Sequence, residues 1–130
     1  MRLHRLHPEQ IVDKDVMFPA VWVEVSLVEV ARHLNAEPAA RDRGTLLLSY
    51  QVDLPGERAV VPAQVALIAF REDPEYTHVF VKEADLGTHP VEQLKMILRA
   101  LHLNEFEVGW WTREGHAEWP GNRPGARLEV

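Results

Sequence analysis

Within 18–25 the β-branched residues fall at every second position, Val21, Val23 and Val25 being interleaved with Trp22 and Glu24. A period of two in β-branched residues predicts a strand with two distinct faces. Pro19 falls at its start, where a missing N–H costs no ladder bond. At Ser26 the period changes to Leu27, Val30, Ala31 and Leu34. Ser26 and Glu29 have the spacing of a capping box, and Asn35 supplies a stop. A short helix over 26–35 is predicted, with continuation of the strand as the competing reading because Val28 and Val30 also alternate.

Three further strands follow in quick succession. Residues 45–54 are rich in strand formers. Pro55-Gly56 then reads as a turn in which Gly takes a positive φ. From Ala59 to Phe70 the only strongly polar side chain is Gln64, which suggests a strand covered on both faces, although Pro62 could instead open a buried helix. Residues 72–75 make the next turn, and 76–82 the next strand. Consecutive strands with tight connections read as an antiparallel meander.

The apolar stripe Val91, Leu94, Ile97, Leu98 and Leu101, widened by Met96, Ala100 and Leu103, predicts one long amphipathic helix over 90–103, packed on the sheet. Its opposite side carries Glu92, Gln93, Lys95, Arg99 and His102. Residues 105–111 and 116–119 read as a C-terminal aromatic hairpin around Glu114-Gly115, with Trp110 opposite Trp119 and Trp111 opposite Glu118. On that register Phe106, Val108 and Trp110 face inward, while Trp111 shares a face with Glu105 and Glu107. The expected architecture is a single α+β domain over 1–119, in the order β-α-β-β-β-α-β-β with a mainly antiparallel sheet. An irregular tail over 120–130 completes it.

Composition narrows the function classes. The 130 residues are 46% hydrophobic and 26% charged, an ordinary globular balance. There is no Cys, so disulfides and thiolate metal sites are excluded. The N-terminal residues are basic without an apolar run, and no stretch reaches the roughly 20 apolar residues of a membrane span. A cytoplasmic setting without membrane association is the expectation. A net charge of −6 opposes binding to phosphate backbones. Residues 26–43 resemble the first helix and turn of a helix-turn-helix, which makes DNA binding a minor alternative; Pro38 and the following strand weigh against a recognition helix.

Candidate chemistry is sparse. His4 and His7 with Glu9 have helical ligand spacing, but a metal centre needs more ligands and a fixed second shell. His89 with Glu92, and His102 with Glu105, have the spacing of ordinary surface pairs on a helix. Ser26 and Ser49 are the only serines, and neither lies in a nucleophile elbow. The glycines do not form a phosphate loop. Asp53, Asp85, Glu105 and Glu107 remain as carboxylates for an acid–base enzyme, a third-ranked reading. No catalytic residue, metal or cofactor is assigned.

Strand surface in excess of what the helices can cover points to a non-enzymatic interaction or assembly protein, working as a homo-oligomer or as a subunit of a larger complex. Its expected contact residues are Trp111, Glu105, Glu107 and Glu118, with the partner either self or another protein. The runner-up is a small apolar-ligand module with a pocket between sheet and helix lined by Trp22, Phe70, Phe80 and Trp110.

Overall fold

Among the described residues the alternating segments assemble into a seven-stranded sheet whose pairings are all antiparallel. The structure, a computed structural model, describes residues 3–6, 17–40, 44–106 and 108–110. Its strands are β1 (Leu3–Leu6), β2 (Met17–Val23), β3 (Ala39–Ala40), β4 (Leu46–Pro55), β5 (Val60–Ala69), β6 (Thr77–Lys82) and β7 (Val108–Trp110). The helices are α1 (Leu27–His33), α2 (Glu83–Leu86) and α3 (Pro90–Ala100). Their spatial order is β1-β4-β5-β6-β2-β7, with β3 also on β4. This is one α+β domain, and the meander β4-β5-β6 forms its centre.

The main core lies on one face of the sheet. Leu48, Tyr50, Val52 and Leu54 of β4, Val65 and Leu67 of β5, Val79 and Val81 of β6, and Val21 and Val23 of β2 all join it. Leu27 and Val30 of α1, Leu86 of α2, and Leu94, Ile97 and Leu98 of α3 pack onto them. Period-2 alternation in the strands and the helical stripe therefore meet in a single layer contact, as their patterns require.

Local chemistry decides the two ambiguous segments. Residues after Ser26 are helical because the Ser26 hydroxyl accepts from the Glu29 N–H at 3.2 Å. The Glu29 carboxylate does not reach back to close the box; it turns to Arg32 at 3.0 Å instead. Residues 60–69 are strand throughout, and Pro62 is accommodated by the sheet's outline. β5 pairs with β4 along its whole length but with β6 only from Val65 to Ile68. The Gln64 N–H points away from β4 and donates to Asp85 Oδ2 at 3.3 Å. Pro62, two residues earlier, directs its nitrogen to that same unpaired side, where no N–H is needed. Asp85 thus closes the ladder at the point where β6 gives way to α2.

Several expectations are corrected. The long helix over 90–103 is an 11-residue helix ending at Ala100. The cause is a Schellman turn: His102 takes φ 58°, its N–H donates to the Arg99 carbonyl at 3.1 Å, and the Leu103 N–H donates to the Leu98 carbonyl at 2.7 Å. Leu101 and Leu103 are buried after the helix has stopped, and so they mimic its periodicity. Asn35, with φ 52°, ends α1 in the same manner, Ala36 bonding back to Ala31.

No C-terminal hairpin is present among the described residues. Its first arm shrinks to β7, which pairs with β2, and 111–130 lie outside the description. The segment 3–6, to which the sequence pattern assigns no element, is an edge strand on β4. Where the minor helix-turn-helix alternative would need its second helix, Ala39–Ala40 form β3, bonded to β4. Pro19 sits inside β2 beside a register shift, where a bulge tolerates it. Gly56 does not have a positive φ; it is needed because a Cβ there would lie 2.4 Å from the Ala59 carbonyl oxygen.

His102 is a non-glycine residue in the left-handed region, a conformation that costs side chains about 1 kcal/mol. His102→Gly is expected to stabilise the fold by about 0.5–1 kcal/mol, read as a higher urea midpoint at unchanged slope.

Candidate functional site

The three helices among the described residues all pack on the core face, so among those residues the other face of the sheet is shaped by strand side chains. Its register follows from the ladders: Ser49 is opposite Ala66, Gln51 opposite Gln64, Ala66 opposite Phe80, and Ile68 opposite His78, which in turn is opposite Trp22. An antiparallel sheet with one solvated face normally carries polar residues there. Here that face is divided in two.

One half is polar. His4 Nε2 lies 3.2 Å from Asp53 Oδ2, and Gln51 Nε2 donates to Asp53 Oδ1 at 3.1 Å, tying edge strand β1 to β4. Beside them the Ser49 hydroxyl and the Gln64 Oε1 are buried without a hydrogen-bond partner. A buried polar atom left unpaired costs about 1–3 kcal/mol. Both orphans lie next to Gln51, on diagonal positions of β4 and β5.

The other half is apolar. Leu47 and Ala66 form a small cluster separate from the main core, with Met17, Ile68 and Phe80 packed against it. Next to this cluster stands His78, whose side chain is 17% exposed and whose Nε2 lies 2.9 Å from Asp73 Oδ2. Asp73 is presented by the β5–β6 turn, which is closed by the Asp73 N–H on the Phe70 carbonyl and the Tyr76 N–H on the Asp73 carbonyl. The Phe70 ring stands edge-on to the imidazole at 4.9 Å and to Phe80 at 6.3 Å. Beyond Trp22 the sheet ends in β7, and the indole lies directly over Gly109. A Cβ at Gly109 would fall 1.8 Å from the Trp22 ring, so only glycine admits this contact.

The residues expected to line a ligand pocket are thus partly gathered, in a different place. Trp22, Phe70 and Phe80 share the helix-free half of the molecule, whereas the space between sheet and helices is filled by the core. Trp110 pairs with Val21 in β7. Of the expected contact residues, Glu105 is exposed just after α3, and Glu107, Trp111 and Glu118 lie outside the described residues. Asp53 and Asp85 are engaged in closing strand edges, as described above. His4 meets Asp53, while His7 and Glu9 lie outside the description. Among the described residues no three His, Asp or Glu side chains come together as a metal site. No described helix is long and apolar enough to cross a membrane.

The His78–Asp73 pair is the feature that sequence reasoning missed. The two residues are five apart across an ordinary Glu-Asp-Pro-Glu turn, and nothing in that spacing shows that the strand brings the imidazole back to the carboxylate. A separate cleft of about 450 Å³ opens between the β4–β5 turn, α2 and the first turn of α3. Two of its polar groups serve the fold, since Asp85 holds Gln64 and Gln93 Nε2 donates to the Pro55 carbonyl at 2.8 Å.

Gly109→Ala is expected to cost about 1–3 kcal/mol through displacement of the indole. Trp22→Ala in the same chain removes most of that penalty, so a double-mutant cycle by denaturant unfolding should show a coupling well above about 0.5 kcal/mol. No family model, curated protein or solved structure matches this chain.

Proposed function

We propose that the protein is a non-enzymatic interaction or assembly protein that associates through the helix-free face of its sheet, as a homo-oligomer or as a subunit of a larger complex. The supporting observation is the apolar half of that face. Met17, Trp22, Ile68, Phe70 and Phe80 are each only half-buried at positions where a solvated sheet would carry polar side chains. Elsewhere among the described residues, Val28 and Val60 are the large apolar side chains that stand exposed, and they lie singly on α1 and at the start of β5.

Size is compatible with a contact surface. Six strands at about 4.8 Å spacing give a width of about 24 Å, and the longest strands reach about 33 Å. The face therefore offers at most about 800 Å², close to the roughly 800 Å² that each partner contributes to a standard interface. Aromatic residues concentrated on one half are the kind that carry binding energy at such contacts. The acidic net charge favours a protein partner over nucleic acid.

Size-exclusion chromatography with light scattering is expected to return a multiple of 14.9 kDa at high micromolar concentration. Ile68→Lys should move the mass toward the monomer while leaving a cooperative thermal transition. A wild-type protein that remains a monodisperse monomer, and captures no partner through this face, contradicts the reading.

A further inference from the structure

We infer that the cleft between the β4–β5 turn, α2 and the first turn of α3 binds a small organic cation, a primary ammonium on a compact aliphatic body. Its volume of about 450 Å³ lies within the range of ordinary small-molecule sites, about 300–1,000 Å³. None of its lining residues belongs to the apolar half of the helix-free face, so this inference is independent of the assembly reading.

The polar groups of the cleft are set to accept. A carbonyl oxygen cannot donate, so the 2.8 Å contact to Pro55 commits the Gln93 amide nitrogen to that oxygen. Gln93 Oε1 is left as an acceptor with no partner among the described residues. The half-buried Asp85 carboxylate engages Oδ2 with the Gln64 N–H at 3.3 Å, and its other oxygen has no partner there either. Glu57 adds a second carboxylate from the β4–β5 turn, and no Lys or Arg is among the lining residues. Acceptors with a net negative charge suit a ligand that brings only donors and a positive charge, as an ammonium group does. Pro55, Val61 and Leu86 supply apolar wall against which the aliphatic body displaces water.

The first turn of α3 pulls the other way, because its backbone N–H groups receive no side-chain cap from His89 and attract an anion. A helix N-terminus is equivalent to about half a positive charge, against two full carboxylates in the cleft. Glu92 in the same turn offsets part of it. The cation is therefore favoured.

Three probes of closely matched shape test the site: cyclohexylmethylamine, cyclohexylmethanol and cyclohexanecarboxylate, titrated at neutral pH while the Gly87 backbone amide and the Gln93 side-chain amide are followed by NMR. The amine is expected to shift both signals and to bind about tenfold or more tightly than the alcohol, the factor set by a charge-assisted hydrogen bond against a neutral one. The carboxylate is expected to be the weakest of the three. In Asp85→Asn, whose amide oxygen still accepts from the Gln64 N–H, the amine's advantage over the alcohol should shrink several-fold. Glu75→Gln removes the same single charge from the exposed β5–β6 turn, at the opposite end of β5, and should leave that advantage unchanged. This pair of variants separates a built site from the general pull of an acidic protein on cations. Equal binding of amine and alcohol to the wild-type protein overturns the proposal without recourse to any variant. So does tighter binding of the carboxylate, absence of a shift at Gly87 and Gln93, or an amine preference that the two variants alter to the same extent.

Discussion

The placement of every described helix on one side of the sheet is the constraint from which the rest of the described fold follows. Strand side chains alternate, so half of each central strand is committed to the helical layer and the other half must find a different environment. In β4 the committed half is Leu48, Tyr50, Val52 and Leu54, and the remainder is Leu47, Ser49, Gln51 and Asp53. β5 and β6 divide the same way, and the second set of residues is neither uniformly polar nor uniformly apolar. Its polar part secures the edge strand β1 through His4, Gln51 and Asp53. Its apolar part holds Phe70 against both a carboxylate-bound imidazole and Phe80, with Trp22 on the neighbouring strand at the position opposite His78.

Strand ends are governed by the same demand that backbone groups be satisfied. β6 stops at Lys82 because the chain turns into α2, and Asp85 in that helix takes over the Gln64 N–H that β6 no longer meets. Pro62 fits for the complementary reason, having no N–H to satisfy on that side. The antiparallel pairing of β2 with both β6 and β7 makes β6 and β7 parallel to one another, and the helical connection α2–α3 spans β2 between them. A few hydrogen-bonding requirements thus explain where the helices sit and, in turn, which face is left to the strands.

Much of this was legible in the order of residues. The meander 46–82, the helix after Ser26 and the helix beginning at Pro90 all follow from local periodicity and capping, because those signals act over a few residues. What escaped was either too short to be periodic or set by distant partners. Leu-His-Arg-Leu at 3–6 becomes a strand only by pairing with 49–52. The helix over 90–103 was read too long because Leu103 packs back on the turn that ends it. The face occupied by Trp22, Phe70 and Phe80 depends on which side the helices take, and periodicity does not encode that choice. His78 and Asp73 meet across the β5–β6 turn, a contact that no periodicity signals.

Solvent paramagnetic relaxation of the isoleucine δ1 methyls tests the account most directly. Ile97 is fully buried beneath α3 and serves as the protected internal reference, while Ile68 lies half-buried on the helix-free face. If that face is a contact surface, Ile68 should be reached by the solvent probe in dilute protein and lose that access as concentration rises or a partner is added. An Ile68 methyl that keeps one unchanging relaxation rate at every concentration, with or without a partner, contradicts the central claim.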